Sequence, residues 1–135
     1  YKIIQDKFGP CLIQEFLFGP KYAAVFLVNE RTEPKRFFIH KCIREYPISG
    51  GPICCLESTH VDSIYEYGLR LLKAINYCGL AQIEFIVDDK DQQPKITEIN
   101  PRFYGCIAGA ISAGVDFPYA MYRLAIDGRI EKKLN

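Results

Sequence analysis

Residues 81–100 constrain this chain more than any other stretch. Residues 81–87 (Ala-Gln-Ile-Glu-Phe-Ile-Val) have the make-up of a strand, residues 88–93 that of a polar turn, and residues 94–100 that of a returning strand. A hairpin centred on Asp91 sets Glu84 directly opposite Glu98, with Cβ atoms roughly 4.5–5.5 Å apart. Side chains alternate along a strand, so Asn100 joins Glu98 on one face. Ile83, Phe85, Val87 and Ile99 take the other face, with Lys95 and Thr97 among them, and mark it as the core side. A slip of one residue would scatter this arrangement.

The run Glu98-Ile99-Asn100-Pro101-Arg102 brings chemistry to that face. Glutamate and asparagine oxygens are hard ligands of the kind Mg²⁺ takes, and arginine clamps a phosphoryl group through paired N–H donors. Pro101 has no amide proton and restricts the residue before it, so the strand ends there and Arg102 enters the next loop. The five residues alone also describe an exposed strand end with a surface arginine. The opposed Glu84 separates the two readings, because like charges across a ladder repel unless a cation lies between them or one is protonated.

At 135 residues the chain has one domain's worth of sequence, and 49% hydrophobic and 24% charged residues suit a globular protein with a real core. A net charge of +1 without a basic stripe argues against a nucleic-acid surface. No apolar run reaches membrane-spanning length and no signal peptide is visible, so a cytoplasmic chain with no membrane partner is expected. The chain opens on Tyr1 and its one methionine is Met121, which leads us to expect a fragment of a longer protein forming a single domain over 1–135. The six cysteines show neither Cys-x-x-Cys pairs nor zinc-finger spacing to histidine, and read as core thiols. His40 and His60 stand alone and read as packing or capping residues.

Strands are expected over residues 11–18, 22–29, 35–46 and 53–57, and a helix over 61–77. The helix is expected to be capped by Ser58, Thr59 or Asp62 and to end at Gly79. After the hairpin come two more helical stretches, about 104–114 and 117–127. This order indicates an α+β domain, an antiparallel sheet with helices packed on one face and Glu84, Glu98 and Asn100 on the other.

With the hairpin in place, the chain resembles the C-terminal half of the ATP-grasp fold. It is similar to the branch holding the large chain of carbamoyl phosphate synthase and related carboxylate–amine ligases. The resemblance runs from about residue 11 to 128. It is carried by Ile13-Gln14-Glu15-Phe16-Leu17, Arg44-Glu45-Tyr46-Pro47 with Gly50-Gly51, Ile83-Glu84-Phe85, Glu98-Ile99-Asn100-Pro101-Arg102 and Ala113-Gly114-Val115-Asp116-Phe117-Pro118-Tyr119. It implies ATP as cofactor, with adenine on a linking strand at Gln14, Glu15, Phe16 and Leu17, and Mg²⁺ or Mn²⁺ held by Glu84, Glu98 and Asn100. It further implies Arg102 at the transferred phosphoryl group, and Arg44 with the Ser49-Gly50-Gly51 loop near a substrate carboxylate.

The implied reaction joins a small carboxylate to an amine through an acyl phosphate, and no Ser/His/Asp or Cys/His set is needed for it. Two departures stand out. Many members hold the ribose with an acid where this chain has Lys21, which cannot accept a hydrogen bond, and Glu15 is the substitute considered. The glycine-rich N-terminal ATP-grasp region is also missing, and is the expected partner. A carbamoyl phosphate synthase-type half-site using bicarbonate and ammonia, or a non-catalytic nucleotide-binding or structural domain, are the alternatives.

Overall fold

A central strand buried on both sides organises the molecule. The computed structural model describes residues 1–48, 50–128 and 130. Its strands are β1 (Lys21–Val28), β2 (Pro34–Glu45), β3 (Ile53–Thr59), β4 (Gly79–Val87) and β5 (Pro94–Asn100). Its helices are α1 (Lys2–Phe8), α2 (Asp62–Ala74), α3 (Ile107–Ser112) and α4 (Phe117–Asp127). The strands form one antiparallel sheet in the order β3-β2-β1-β4-β5. Residues 23–28 of β1 are fully buried, which explains why their sequence is continuously apolar rather than alternating.

The α+β class and the antiparallel sheet are those expected from the sequence. The helical layer, however, is divided between the faces. On one face α2 sets Ile64 and Leu72 against Phe26, Phe37, Ile83 and Phe85. Gly68 lets it approach, since a Cβ there would stand 2.6 Å from a Phe26 ring carbon. On the other face α3 and α4 contribute Ala110, Phe117 and Ala120, packed with Leu27, Phe38 and Leu80. They cover the Leu27–Leu80 end and leave the end with Glu84 and Glu98 open. Short apolar stretches such as Ile107–Ser112 reveal a helix but not the face on which it docks.

Residues 11–18 are not the expected strand. They carry no strand pairing, and Leu12, Ile13, Phe16 and Phe18 are all more than 60% exposed. Their apolarity matches a strand, but no neighbouring strand is placed beside them. The expected caps also differ. Helix α2 has Val61 as its N-cap, with no side-chain cap bond, and gives way to Asn76 at φ 50° rather than running to Gly79. Helix α4 has the expected limits, with the Asp116 carboxylate accepting from the Tyr119 N–H at 2.9 Å and Gly128 closing it at φ 66°. The cysteines are free, but Cys54, Cys55 and Cys78 are exposed and Cys11, Cys42 and Cys106 only half-buried, so none of the six is the fully buried core thiol expected. Among the described residues no helix is long and apolar enough to cross a membrane.

Candidate functional site

Strands β4 and β5 pair Gln82 with Asn100, Ile83 with Ile99 and Glu84 with Glu98, the register expected for a turn centred on Asp91. Beyond Glu84 a bulge shifts the ladder, so that Phe85 pairs with Ile96. The bulge leaves Thr97 unpaired in the ladder, and its hydroxyl donates to the Glu84 carbonyl at 3.3 Å. Glu84 is half-buried, Glu98 exposed and Asn100 buried. A short polar relay runs along this face. Asn100 Nδ2 donates to Glu84 Oε1 at 3.3 Å, and Arg102 Nη2 donates to Asn100 Oδ1 at 3.2 Å. Arg102 Nη1 donates to the Phe103 carbonyl at 3.0 Å, which fixes the guanidinium beside the strand end.

Burial raises the pKa of Glu84 above its ordinary value, and the Glu98 carboxylate raises it further, while Lys21 and Arg102 pull it back. The donor set suits a hard divalent cation: two opposed carboxylates whose repulsion a cation relieves, and one amide oxygen on the same patch. A cation taking Glu84 Oε1 would exchange the Asn100 hydrogen bond for coordination. Among the described residues no group of three or more His, Cys, Asp or Glu is placed to hold a metal. The fit therefore needs the asparagine, with remaining ligands from phosphate oxygens and water.

The relay opens into a cavity of about 310 Å³, lined among others by Lys21, Glu45, Glu84, Thr97, Arg102 and Tyr104. Lys21 Nζ donates to both oxygens of Glu45, at 2.9 and 2.7 Å. This pair also borders a neighbouring cavity of about 650 Å³ that includes Arg44 and Tyr46. Arg44 is thus beside the relay's cavity rather than in it. Ser49 lies outside the described residues, while Gly51 lines the first cavity.

Gln14, Glu15 and Phe16 are exposed and Leu17 is half-buried. No backbone hydrogen bond among the described residues engages these four. The segment is moored just after them. The Asp89 N–H donates to the Phe18 carbonyl at 2.8 Å and the Val87 N–H to the Pro20 carbonyl at 3.0 Å. Glu15 accepts from Lys90 Nζ at 3.4 Å, on the β4–β5 turn and away from the cavity, so it is not the carboxylate beside Lys21. That carboxylate is Glu45. Sequence reasoning did not single it out, because its pairing with a residue 24 positions away depends on how β1 and β2 lie together.

The sequence pattern of the ATP-grasp domain matches residues 2–106. No curated protein sequence matches the chain. Among solved structures, the biotin carboxylase–β,γ-ATP complex from Campylobacter jejuni is similar at 17% identity and TM-score 0.69, over 96% of this chain and 30% of that one. The phosphoribosylaminoimidazole carboxylase ATPase subunit from Aquifex aeolicus is similar at 15% identity and TM-score 0.63, over 78% of this chain and 34% of that one. The D-alanine–D-alanine ligase from Bacillus anthracis, complexed with ATP, is similar at 12% identity and TM-score 0.57, over 84% and 39%. The chain spans roughly a third of the length of these structures. With its hairpin, its relay and a match over most of its length, the chain belongs to the ATP-grasp family.

Proposed function

We propose that this chain forms the nucleotide- and Mg²⁺-holding part of an ATP-dependent carboxylate–amine ligase that works through an acyl phosphate. The observation that carries the reading is the opposition of Glu84 and Glu98, with Glu84 joined through Asn100 to Arg102 on one sheet face beside the cavity that Glu84 and Arg102 line. In this reading Glu84, Glu98 and Asn100 would hold Mg²⁺, with Mn²⁺ as a substitute, and the ATP would bind beside them. When bound there, such an ion would supply charge neutralisation for the triphosphate. Arg102 meets the transferred phosphoryl group and stabilises charge on its equatorial oxygens. The free backbone of residues 14–17 suits the edge of an adenine, with Gln14 facing its amino group. Glu45, held by Lys21, offers the hydroxyl acceptor that the lysine itself cannot provide.

The chemistry asks for positioning rather than a side-chain nucleophile. A substrate carboxylate oxygen attacks the γ-phosphorus, the bond to the bridging oxygen breaks and ADP leaves. An amine then attacks the acyl carbon, phosphate departs and the amine proton passes to solvent. Arg44, which lines the adjoining cavity, would meet the substrate carboxylate in this scheme. The Lys21–Glu45 bond supports this reading over a non-catalytic domain, since it sets a carboxylate beside the lysine.

Calorimetric titration of the full-length protein with ATP, with and without Mg²⁺, tests the site. Binding should require the ion, and Glu98→Gln should weaken it at least about tenfold. Equal affinity with and without Mg²⁺ would overturn the reading. Phosphate release against a panel of carboxylates and amines then tests the ligase step.

A further inference from the structure

His40 is fully buried on the same sheet face as Glu84, one strand beyond Ala23. Neither of its ring nitrogens has a hydrogen-bond partner among the described residues. Its ring neighbours Phe38, at 5.5 Å, and Tyr104, at 5.9 Å and only 13° from parallel. Tyr104 is also buried, and its hydroxyl is likewise unpartnered. Two nearly parallel, offset polar rings with three unpaired polar atoms are costly to keep buried. Such a site holds only while both rings are neutral.

Tyr104 belongs to the loop that carries Arg102. The Arg102 N–H donates to the Asn100 carbonyl at 2.9 Å, and Arg102 then bonds Asn100 Oδ1 and the Phe103 carbonyl. The turn is therefore pinned at Asn100 in β5 and at Tyr104 in the core. Cys106, which donates to the Ile53 carbonyl at 2.9 Å, is the next anchor. We propose that the stack of Tyr104 on buried His40 is an acid-sensitive latch that positions Arg102 at the phosphate site. Tyr104 and His40 are positioning residues, and the link to phosphate rests on the proposed function above.

No acceptor among the described residues lies within hydrogen-bond reach of either His40 nitrogen. Its strand neighbours across the ladders are Ala23 and Ser58, and α3 (Ile-Ala-Gly-Ala-Ile-Ser) carries no titratable side chain. The titratable and charged groups on this side are Tyr104 and Cys106 of the loop, Cys42 further along β2, Glu84 beyond Ala23 with Glu98 opposite it, and Lys21, Glu45 and Arg102 around the same cavity. Burial alone lowers the His40 pKa from 6.5 to about 4. The unfolded chain thus takes up its proton first, and stability falls as pH drops from 6.5 towards 4. An imidazolium there would have two N–H donors and no acceptor, so charging His40 drives the stack apart and frees the Arg102 turn.

The test follows amide hydrogen exchange at Arg102 by NMR in the full-length protein, as a protection factor corrected for intrinsic pH effects. In the wild type, protection should fall at least about tenfold between pH 6.5 and 4. His40→Phe keeps an aromatic ring that cannot charge, and should hold protection through that range. Tyr104→Phe should behave as wild type at neutral pH. Tyr104→Ala should lose protection at every pH and lower kcat by roughly 10- to 100-fold, with Mg·ATP affinity changed far less. Unchanged protection in Tyr104→Ala, or the same acid loss in His40→Phe, overturns the latch. If Tyr104→Ala does not fold, the His40→Phe comparison decides alone. Protection that follows His40 in a protein that binds no Mg·ATP keeps the latch and removes the nucleotide reading.

Discussion

Glu84 and Glu98 lower the stability of the fold that presents them, because two carboxylates face each other on neighbouring strands. Glu98→Gln should therefore stabilise the metal-free protein by a few tenths to about 1 kcal/mol, while weakening Mg²⁺-dependent nucleotide binding. Thermal melts beside calorimetry read the two effects, and a variant that loses both stability and binding would point to a purely structural Glu98. The pH dependence follows from the raised pKa of Glu84. The folded state holds this proton more tightly than the unfolded chain, so the group's contribution is full below 4.5 and lost as pH rises through its raised value. Carboxyl NMR titration should find the Glu84 midpoint above 4.5 without metal and moved down when Mg²⁺ is added. Gly19 is the other sensitive position. Its φ is 149°, and a Cβ there would stand 1.9 Å from the Val87 carbonyl oxygen. Gly19→Ala should cost at least about 1 kcal/mol and unmoor residues 14–18, seen as faster exchange at the Asp89 amide.

Elements differ in how plainly they could be read. The hairpin was legible because a polar turn, a proline stop and period-two alternation all agree on one register. Helix α2 was legible from its apolar spacing, though Gly68 within it reads as a weakness. Its packing against Phe26 makes the missing side chain an advantage instead. Gly68→Ala gains helix propensity but forces a methyl into the ring, and should destabilise by about 1–3 kcal/mol in urea unfolding. A net gain in stability would show that α2 can shift on the sheet at little cost. Residues 11–18 misled for the opposite reason. Apolar composition records what a segment could bury, whereas strand formation also requires a free edge beside it.

Across the whole molecule, one cavity wall is present and the nucleotide reading calls for two. The chain spans 30–39% of the three solved structures it resembles. We expect it, expressed alone, to fold around the two apolar clusters flanking the sheet, to bind Mg·ATP weakly and to release no phosphate. Side-by-side calorimetry and phosphate release for this chain and the full-length protein would check this, and efficient turnover by the chain alone would sink it. The sequence by itself determined the antiparallel hairpin, the α+β class and the gathering of Glu84, Glu98 and Asn100 on one face, because these follow from alternation over a few residues. Only the tertiary structure decided that Lys21 meets Glu45, that α3 and α4 cover the second face, and that Tyr104 rests on His40. Those contacts join positions from 24 to 64 residues or more apart, and local periodicity carries no information about which distant side chains the packed sheet brings together.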